Sequence, residues 1–388
     1  MNDINSLFKD KALLNMLPQD GKVVAGVSGG ADSMALLHFV MQTISKDRII
    51  CAHLNHMIRG EEADRDESFV REFCDDNGIE CKVLREDIPK MSAESKIGTE
   101  ECGRKVRYGF FHSLAKGEND RILTAHNADD NAETVIMNLA KGTGVDGMCG
   151  IPKKRGKILR PLLNISRAEI EEYCALNNVH YVTGSTNLED DYTRNRVRHL
   201  VMPVLKEINP DFISAVSRST GIFSQVKSYL DEQAVQLLDR AQDEYGLKTA
   251  VLKESHISVR SLALKIFFEQ NGSGRIEKKH IDKISQNLYN GFGMALPGGL
   301  AVSCSSDILT VKKNDPSKRK SRLNYITSIE GNYQNIISLG GQAGKKIIFT
   351  REKYDSEAGT SKINNLLFKS LIDCDTITNV IIVRNRRP

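Results

Sequence analysis

Residues 1–210 predict an α/β fold built on a doubly wound parallel sheet, and three observations carry that reading. Val23–Val27 is an apolar run without polar alternation, the pattern of a parallel strand covered on both faces. It enters the turn Ser28-Gly29-Gly30, and the residues from Asp32 to Phe39 then resume at helical spacing. The same strand-then-helix rhythm recurs, with strands predicted at Lys22–Ser28, Ile49–Asn55, Ile79–Glu86 and Arg121–Ala125. Polar clusters fall just after these strands, at the carboxyl ends where such sheets hold ligands.

The first cluster is Ser28-Gly29-Gly30-Ala31-Asp32-Ser33, at a strand-to-helix corner. Glycine there permits positive φ and a close backbone approach to an anion, and the helix N-terminus adds a field that favours phosphate. No Lys follows the second Gly at the spacing of a kinase or GTPase loop, and the dinucleotide fingerprint is absent. The hexapeptide instead resembles the pyrophosphate loop of enzymes that cleave ATP between its α and β phosphates.

After the second strand comes His53-Leu54-Asn55-His56-Met57-Ile58-Arg59-Gly60, and after the fourth Thr124-Ala125-His126-Asn127-Ala128-Asp129-Asp130-Asn131-Ala132-Glu133-Thr134. Asp130 and Glu133 stand three apart at a helix start and share a face. Asp129 and Asp130 suit the helix dipole as simple N-terminal charges. Beside an ATP loop the stronger reading is magnesium, held by Asp130 with Asp32 as second carboxylate, because Mg²⁺ takes one or two carboxylates plus phosphate oxygens. His126 is a capping or core histidine, or a nucleotide contact. Arg104 and Arg107 lie on one face of a predicted helix, where guanidinium groups suit bidentate phosphate contacts. Lys141–Gly150, with four glycines in ten residues, reads as a mobile loop beside the site. Arg194 and Arg198, four apart at the start of a helix running to about Leu205, are placed to grip RNA phosphate or a carboxylate, or to pair with nearby acids.

Composition bounds the rest. The chain has 388 residues, 40% hydrophobic, and a formal charge of +4, so nucleic-acid binding rests on local clusters rather than on totals. Its eight cysteines, at 51, 74, 81, 102, 149, 174, 304 and 374, include no pair at two-residue spacing. That argues against a zinc ribbon, an iron–sulfur ligand set or a C-x-x-C redox pair, and for free structural thiols in a reducing cytosol. No apolar run approaches membrane-spanning length, and Met1–Gln19 lacks a signal-peptide layout.

Taken together, Ser28–Ser33, His53-x-Asn55-His56-x-x-Arg59, Arg104-x-x-Arg107-Tyr108, Thr124-Ala125-His126-x-x-Asp129-Asp130-x-x-Glu133-Thr134, Arg160-Pro161-Leu162-Leu163, and Asn187 followed by Arg194-Asn195-x-x-Arg198 resemble the tRNA(Ile)-lysidine synthetases in their order. These are N-type ATP pyrophosphatases of the PP-loop superfamily, with an adenine nucleotide alpha hydrolase-like sheet. The resemblance implies a cytoplasmic ligase that joins free L-lysine to C2 of the wobble cytidine of a CAU-anticodon tRNA(Ile), using ATP and Mg²⁺, and so shifts decoding from AUG to AUA. It places ATP on Ala25, Val27, Ser28, Gly29, Gly30, Ala31, Asp32, Ser33, Leu54 and His126. Catalysis falls to Asp32, Asp130, Glu133 and Arg107, with Glu133 orienting the lysine ammonium and Asp32 and Asp130 holding magnesium. Substrate and tRNA contacts fall to His53, Asn55, His56, Arg59, Arg104, Arg194 and Arg198. A homodimer is an open expectation. One departure is Gly184, where similar proteins have an Asp before a Ser/Thr-Asn pair; Glu189, Asp190 and Asp191 follow closely.

Past Pro210 the alternation of strand and helix stops. Helices are predicted over Asp211–Tyr245, Ser258–Gln270 and Lys278–Leu288, with short strands near Met294–Ser303 and Ile308–Lys312, making 211–312 a helical domain. The resemblance implies that this domain contacts tRNA. The basic run 312–322 reads as a linker that can track phosphates. Lys346–Thr350 and Val380–Val383 suggest a β-rich part over 323–388, which reads as a short form because longer members continue past Arg384–Pro388. Three rival readings share the loop. The tRNA thiolation enzymes have cysteine pairs this chain lacks, and amide-forming ligases have a glutaminase partner with no counterpart here. A nucleotide-gated RNA-binding module without turnover would not need Asp32, Asp130 and Glu133, and would release no pyrophosphate.

Overall fold

The computed structural model describes residues 17–313 except 59, 184–192, 275, 289 and 306, and the backbone of four later strands, Tyr325–Thr327, Asn335–Ser338, Lys346–Phe349 and Ile381–Val383. Arg59, Gly184, Glu189, Asp190, Asp191 and most of the basic run 312–322 lie outside the described residues. The chain divides into two compact units, Met1–Arg240 with Ser255–Ala263, and Ala241–Glu254 with Leu264–Pro388.

The first unit is organised by a six-stranded sheet of β1 (Val23–Gly26), β2 (Ile49–Asn55), β3 (Glu80–Arg85), β4 (Arg121–Leu123), β5 (Lys154–Arg155) and β6 (Ile158–Leu159). The spatial order is β3-β2-β1-β4-β6-β5, parallel throughout except for β5, which runs antiparallel to β6. The β5–β6 hairpin was not predicted, because two-residue strands about Gly156 carry no periodicity. Five main helices cross or flank the sheet: α1 (Ala31–Thr43), α2 (Glu61–Asn77), α3 (Ile88–Ser95), α4 (Thr99–Leu114) and α5 (Ala128–Lys141). Successive residues of β1 divide between two cores. Val23 and Ala25 pack with Met34, Leu36, Leu37 and Cys51, while Val24 packs with Ile50, Phe111, Ala115 and Ile122. That two-sided burial is why the run shows no polar alternation. Each such Val or Leu contributes about 1.5–3 kcal/mol.

Chain order makes the β1–β4 edge the place where connections leave in opposite directions, through α1 toward β2 and, on the other side of β1, from β3 to β4. A crevice at that switch point lies outside the carboxyl ends of both strands. Helix α4 packs closely against β1 there. A Cβ on Gly26 would stand 2.6 Å from ring carbons of Phe111. Gly26→Ala is therefore expected to cost about 1–3 kcal/mol of stability by overpacking. The urea midpoint measures it, and Gly26→Ala combined with Phe111→Leu should recover part of the loss.

Lys141–Gly150, expected as a mobile loop, instead holds a helical turn, α6 (Val145–Met148). Gly147 O accepts from Asn138 Nδ2 at 3.0 Å, and Asp146 pairs with Lys227 at 3.2 Å. Next come α7 (Arg167–Leu176) and then, over the helix predicted from Arg194 to about Leu205, a continuous helical run made of α8 (Thr193–Arg196), a π turn (Val197–Val201) and α9 (Met202–Ile208). Pro203 accounts for the π turn: it has no N–H, and its ring would meet the carbonyl four residues back in a regular helix. The predicted helix over Asp211–Tyr245 is α10 (Phe212–Ala241).

The rest of the chain adds α11 (Thr249–Glu254), α12 (Ile257–Gln270) and α13 (Lys278–Asn287). A four-stranded antiparallel sheet, ordered β7-β10-β9-β8, is made by β7 (Leu247–Lys248), β8 (Phe292–Leu296), β9 (Leu300–Ser305) and β10 (Ile308–Lys313). The single strand expected over Met294–Ser303 is two, broken at Pro297-Gly298-Gly299, where both glycines have positive φ. Two antiparallel ladders follow, Tyr325–Thr327 with Ile381–Val383 and Asn335–Ser338 with Lys346–Phe349. Among the described residues no helix is long and apolar enough to cross a membrane.

Candidate active site

A cavity of about 500 Å³ opens at the β1–β4 switch point, within the usual size range for a small-molecule site. Its floor is the corner after β1. Ser33, the third residue of α1, accepts from Ser28 N through its Oγ at 3.1 Å and donates to Gly30 O at 3.0 Å, which ties the turn into a loop. The α1 cap, Gly30, supplies no side-chain acceptor. Gly30 to Ser33 line the cavity, so the positive end of α1 is set against it, an anion site made of backbone. Gly29 has φ +91°, and its carbonyl accepts Val182 N at 2.9 Å. Tyr181, Val182 and Thr183 form a strap along the cavity wall that sequence reasoning did not assign.

The second wall is the start of α5. Asn127 and Asp130 form a capping box there, with Asn127 Oδ1 accepting from Asp130 N at 2.9 Å and Asp130 Oδ2 accepting from Asn127 N at 3.1 Å. Asn127 Nδ2 also donates to Asp32 Oδ1 at 3.0 Å, which joins the two walls through one amide. Burial raises the Asp32 carboxyl above the ordinary carboxylate range and Asp130 adds to the rise, against the opposing pull of Arg167 and Asn127.

Glu133, one helical turn beyond Asp130, is buried and outside the cavity lining, and the groups it meets here are guanidinium groups. Its carboxylate accepts from Arg194 Nε at 2.9 Å and from Arg198 Nε at 2.6 Å and Nη2 at 3.1 Å. Asp130 Oδ1 accepts from the Nη2 groups of both arginines, at 3.0 and 3.2 Å. Arg194 and Arg198 thus pair with Asp130 and Glu133 and also line the cavity, while Glu189, Asp190 and Asp191, the acids nearest them in sequence, lie outside the described residues.

Arg167 was missed. It is the first residue of α7, whose Ser166–Glu169 capping box fixes the helix start, and its Nη1 lies 3.7 Å from Asp32 Oδ2. Its backbone N donates to Asp129 Oδ2 at 2.9 Å, and Lys206 Nζ donates to Asp129 Oδ1 at 2.8 Å. Asp129 therefore ties α5 to α7 and α9 and does not line the cavity. A signal was present in the sequence: the Ser-x-x-Glu box marks a helix start, and a cation in the first turn opposes the dipole.

Among the residues assigned from sequence, Val27, Ser28, Gly30, Ala31, Asp32, Ser33, Leu54, His56, Arg107, His126, Asp130, Arg194 and Arg198 line this one cavity. Arg107 Nη2 donates to His56 Nε2 at 3.2 Å. Ala25, Gly29, His53, Asn55, Arg104 and Glu133 are not in the lining. Ala25 is core, and Arg104 stacks over Tyr108 at 5.0 Å. Asn55, expected on substrate, is buried and donates through Nδ2 to Asp64 at 3.2 Å and Glu67 at 3.1 Å. Glu67 also accepts from Arg85 at 2.8 Å and Arg71 at 3.0 Å. Burial would raise the Glu67 carboxyl, but the bonds from Arg85, Asn55 and Arg71 prevail and bring it down to about 2.

Burial, followed by the charges of Arg160, Arg194, Arg104 and Arg107, pushes the His126 imidazole down to about 3. It is neutral at working pH, with Nδ1 3.1 Å from Thr124 Oγ1. The unfolded chain takes up this proton near pH 6.5 and the folded one only near 3, so the stability involved is complete above about 6.5 and falls as pH drops toward 3. His126→Asn is expected to lessen the decline in Tm between pH 7 and 4, which a thermal-melt series over that range measures.

A glycine-paired anion loop at the switch point of a parallel sheet, with carboxylates and guanidinium groups on the facing wall, defines a PP-loop nucleotide-binding enzyme. Residues 2–205 match the family model described as a PP-loop domain. The tRNA(Ile)-lysidine synthase of Clostridium acetobutylicum is 36% identical over 331 residues, covering 82% of this chain and 71% of the relative. That of Clostridium perfringens is 32% identical over 384 residues, covering 91% of this chain and 81% of the relative. Among solved structures, the U34-tRNA thiolase of Methanococcus maripaludis aligns with a TM-score of 0.46 at 19% identity, over 57% of this chain and 78% of that one. The chain belongs to the tRNA(Ile)-lysidine synthase family and is an ATP-dependent ligase of that family.

Proposed function

We propose that the cavity holds ATP with its pyrophosphate end on the Ser28–Ser33 loop, and that the enzyme joins L-lysine to C2 of the wobble cytidine of a CAU-anticodon tRNA(Ile). The observation that carries this reading is the meeting of that loop, Asp32 and the Asp130–Arg194–Arg198 cluster on one cavity. Cytosine O2 attacks the α-phosphorus; an O–P bond forms, the bond to pyrophosphate breaks, and the loop N–H groups receive the leaving charge. The lysine ε-amine then attacks C2, the C2–O bond breaks and AMP departs. The ε-ammonium, with an ordinary pKa of about 10.4, sheds a proton before this step. Arg194 and Arg198, held by Glu133 and Asp130, offer positive charge to phosphate or to the lysine carboxylate. Glu133 is a positioning residue in this scheme.

Asp32 and Asp130 suit magnesium as hard oxygen donors, and the rise of the Asp32 carboxyl under burial and the charge of Asp130 is a cost that a divalent cation relieves. Bound there, the ion would neutralise charge on the phosphates. We further assign the chemistry to residues 1–210, tRNA contact to 211–312 and a β-rich part to 323–388, in a cytoplasmic enzyme that works as a homodimer.

The test is transfer of labelled lysine to a tRNA(Ile) CAU transcript with ATP and Mg²⁺, beside a transcript with U at the wobble position. Label on the first alone is the expected result. No label together with no ATP–pyrophosphate exchange would overturn the reading in favour of a binding module.

A further inference from the structure

The side of the sheet that carries α2 holds a second cluster of chemistry, apart from the cavity. Cys51 in β2 and Cys81 in β3 are direct register partners. Cys74, in the last turn of α2, packs into the same core cluster. The three Sγ atoms lie within 4.8 Å of one another, with Cys51 and Cys74 fully buried and Cys81 half-buried. All are free thiols. Two residues along β2, on the same face as Cys51, stands His53, 3% exposed. Its Nδ1 lies 2.9 Å from Val27 O, so that nitrogen carries the proton and Nε2 keeps a lone pair. Nε2 is buried without a hydrogen-bond partner among the described residues.

We propose that Cys51, Cys74 and Cys81 form a three-sulfur site for one soft, thiophilic cation of the Zn(II) or Cu(I) class. The geometry is close to what such an ion needs. With metal–sulfur bonds of about 2.3 Å, three sulfurs arranged trigonally stand about 4 Å apart, so the triad closes on an ion by shifts well under an ångström. Hard cations are excluded by the ligand type, because thiolate selects soft ions. On binding, each thiol yields its proton to solvent as its sulfur–metal bond forms, and no electron changes hands. The half-buried Cys81 marks the entry side, while His53 stays outside the group of ligand atoms within 4.8 Å of one another, so the site is one of sulfur alone. The bound ion would pin α2 to β2 and β3, beneath the strand that carries Leu54 and His56 toward the cavity.

The test uses the reduced full-length chain and Cd²⁺ alone as probe, read by the ultraviolet sulfur-to-cadmium charge-transfer band. The expected result is saturation at one ion per chain, with Kd weakened at least about tenfold in Cys81→Ser and the band per bound ion falling by about a third. ATP–pyrophosphate exchange in Cys81→Ser, unchanged within about twofold, establishes that this variant folds. In a second measurement, bound Cd²⁺ should slow alkylation of Cys81 in the native wild-type chain by at least about tenfold. Absence of the band, or equal affinity in wild type and Cys81→Ser, would overturn the proposal. Cys81 alkylated equally fast with and without the ion would overturn it independently.

Discussion

Asp32→Asn is expected to lower ATP–pyrophosphate exchange by about 10²–10³-fold while leaving the fold intact or firmer. The side chain stands on the first turn of α1, at the anion loop, with Asn127 on one oxygen and Arg167 facing the other. An amide keeps that volume and can still bond to Asn127, but it carries no charge to complement magnesium on the phosphates. The stability side has the opposite sign. Because the folded carboxyl ionises above the unfolded value, its charge costs stability that grows as pH rises past about 3.8. Asparagine removes that cost. Tm of the variant at pH 7 should match or exceed that of wild type, and the advantage should vanish at low pH. A lower Tm at pH 7, or exchange within a few-fold of wild type, would count against Asp32 as the charge that activates ATP.

Glu133→Ala is expected to cost about 3 kcal/mol of stability in the first unit, and lysine transfer should fall further than the loss of folded protein accounts for. The carboxylate is 2% exposed and takes three hydrogen bonds from Arg194 and Arg198. Removing it leaves two guanidinium groups beside Asp130 alone. Their partial exposure, 26% and 30%, lets water take up some of the loss, which sets the cost near the low end for a broken buried pair. Glu133→Gln keeps the volume and an acceptor oxygen, so it should recover about half of the stability. A purely structural role predicts unchanged kcat and KM per folded molecule. The positioning role predicts a raised KM for tRNA or lysine in Glu133→Gln, with a weaker salt dependence of tRNA binding because the arginines no longer hold one geometry.

Both expectations rest on contacts that differ in how far they could be read in advance. Strand β2 was predicted with the boundaries it has, Ile49–Asn55, because four apolar or small residues, Ile49–Ala52, run into a polar cluster. The anion loop was equally legible, since Gly29-Gly30 between an apolar run and a helical pattern leaves little choice of backbone. Asn55 was less legible. Leu54 and His56 on either side of it line the cavity, but its own amide turns to Glu67 of α2, and which acceptor wins depends on where α2 docks. The partners of Glu133 were hidden for a similar reason. Its helix face was predicted correctly, yet its partners arrive from residues sixty-one and sixty-five positions later.

What the amino-acid order alone determined is therefore local: which residues share a strand end or a helix face, and hence that loop, carboxylates and arginines were available for phosphate chemistry. Sheet order decided what meets. Placing β1 between β2 and β4 brings Asp32 to Asn127 across ninety-five residues and sets Arg167 against Asp32, while pairing β3 with the other edge of β2 stacks Cys51 against Cys81 beside Cys74. Spacing rules are blind to such meetings because backbone periodicity repeats over a few residues, whereas hydrophobic packing of whole strands and helices fixes the long-range register. The same cysteines that show no metal-ligand spacing along the chain can thus form a three-sulfur cluster in the fold.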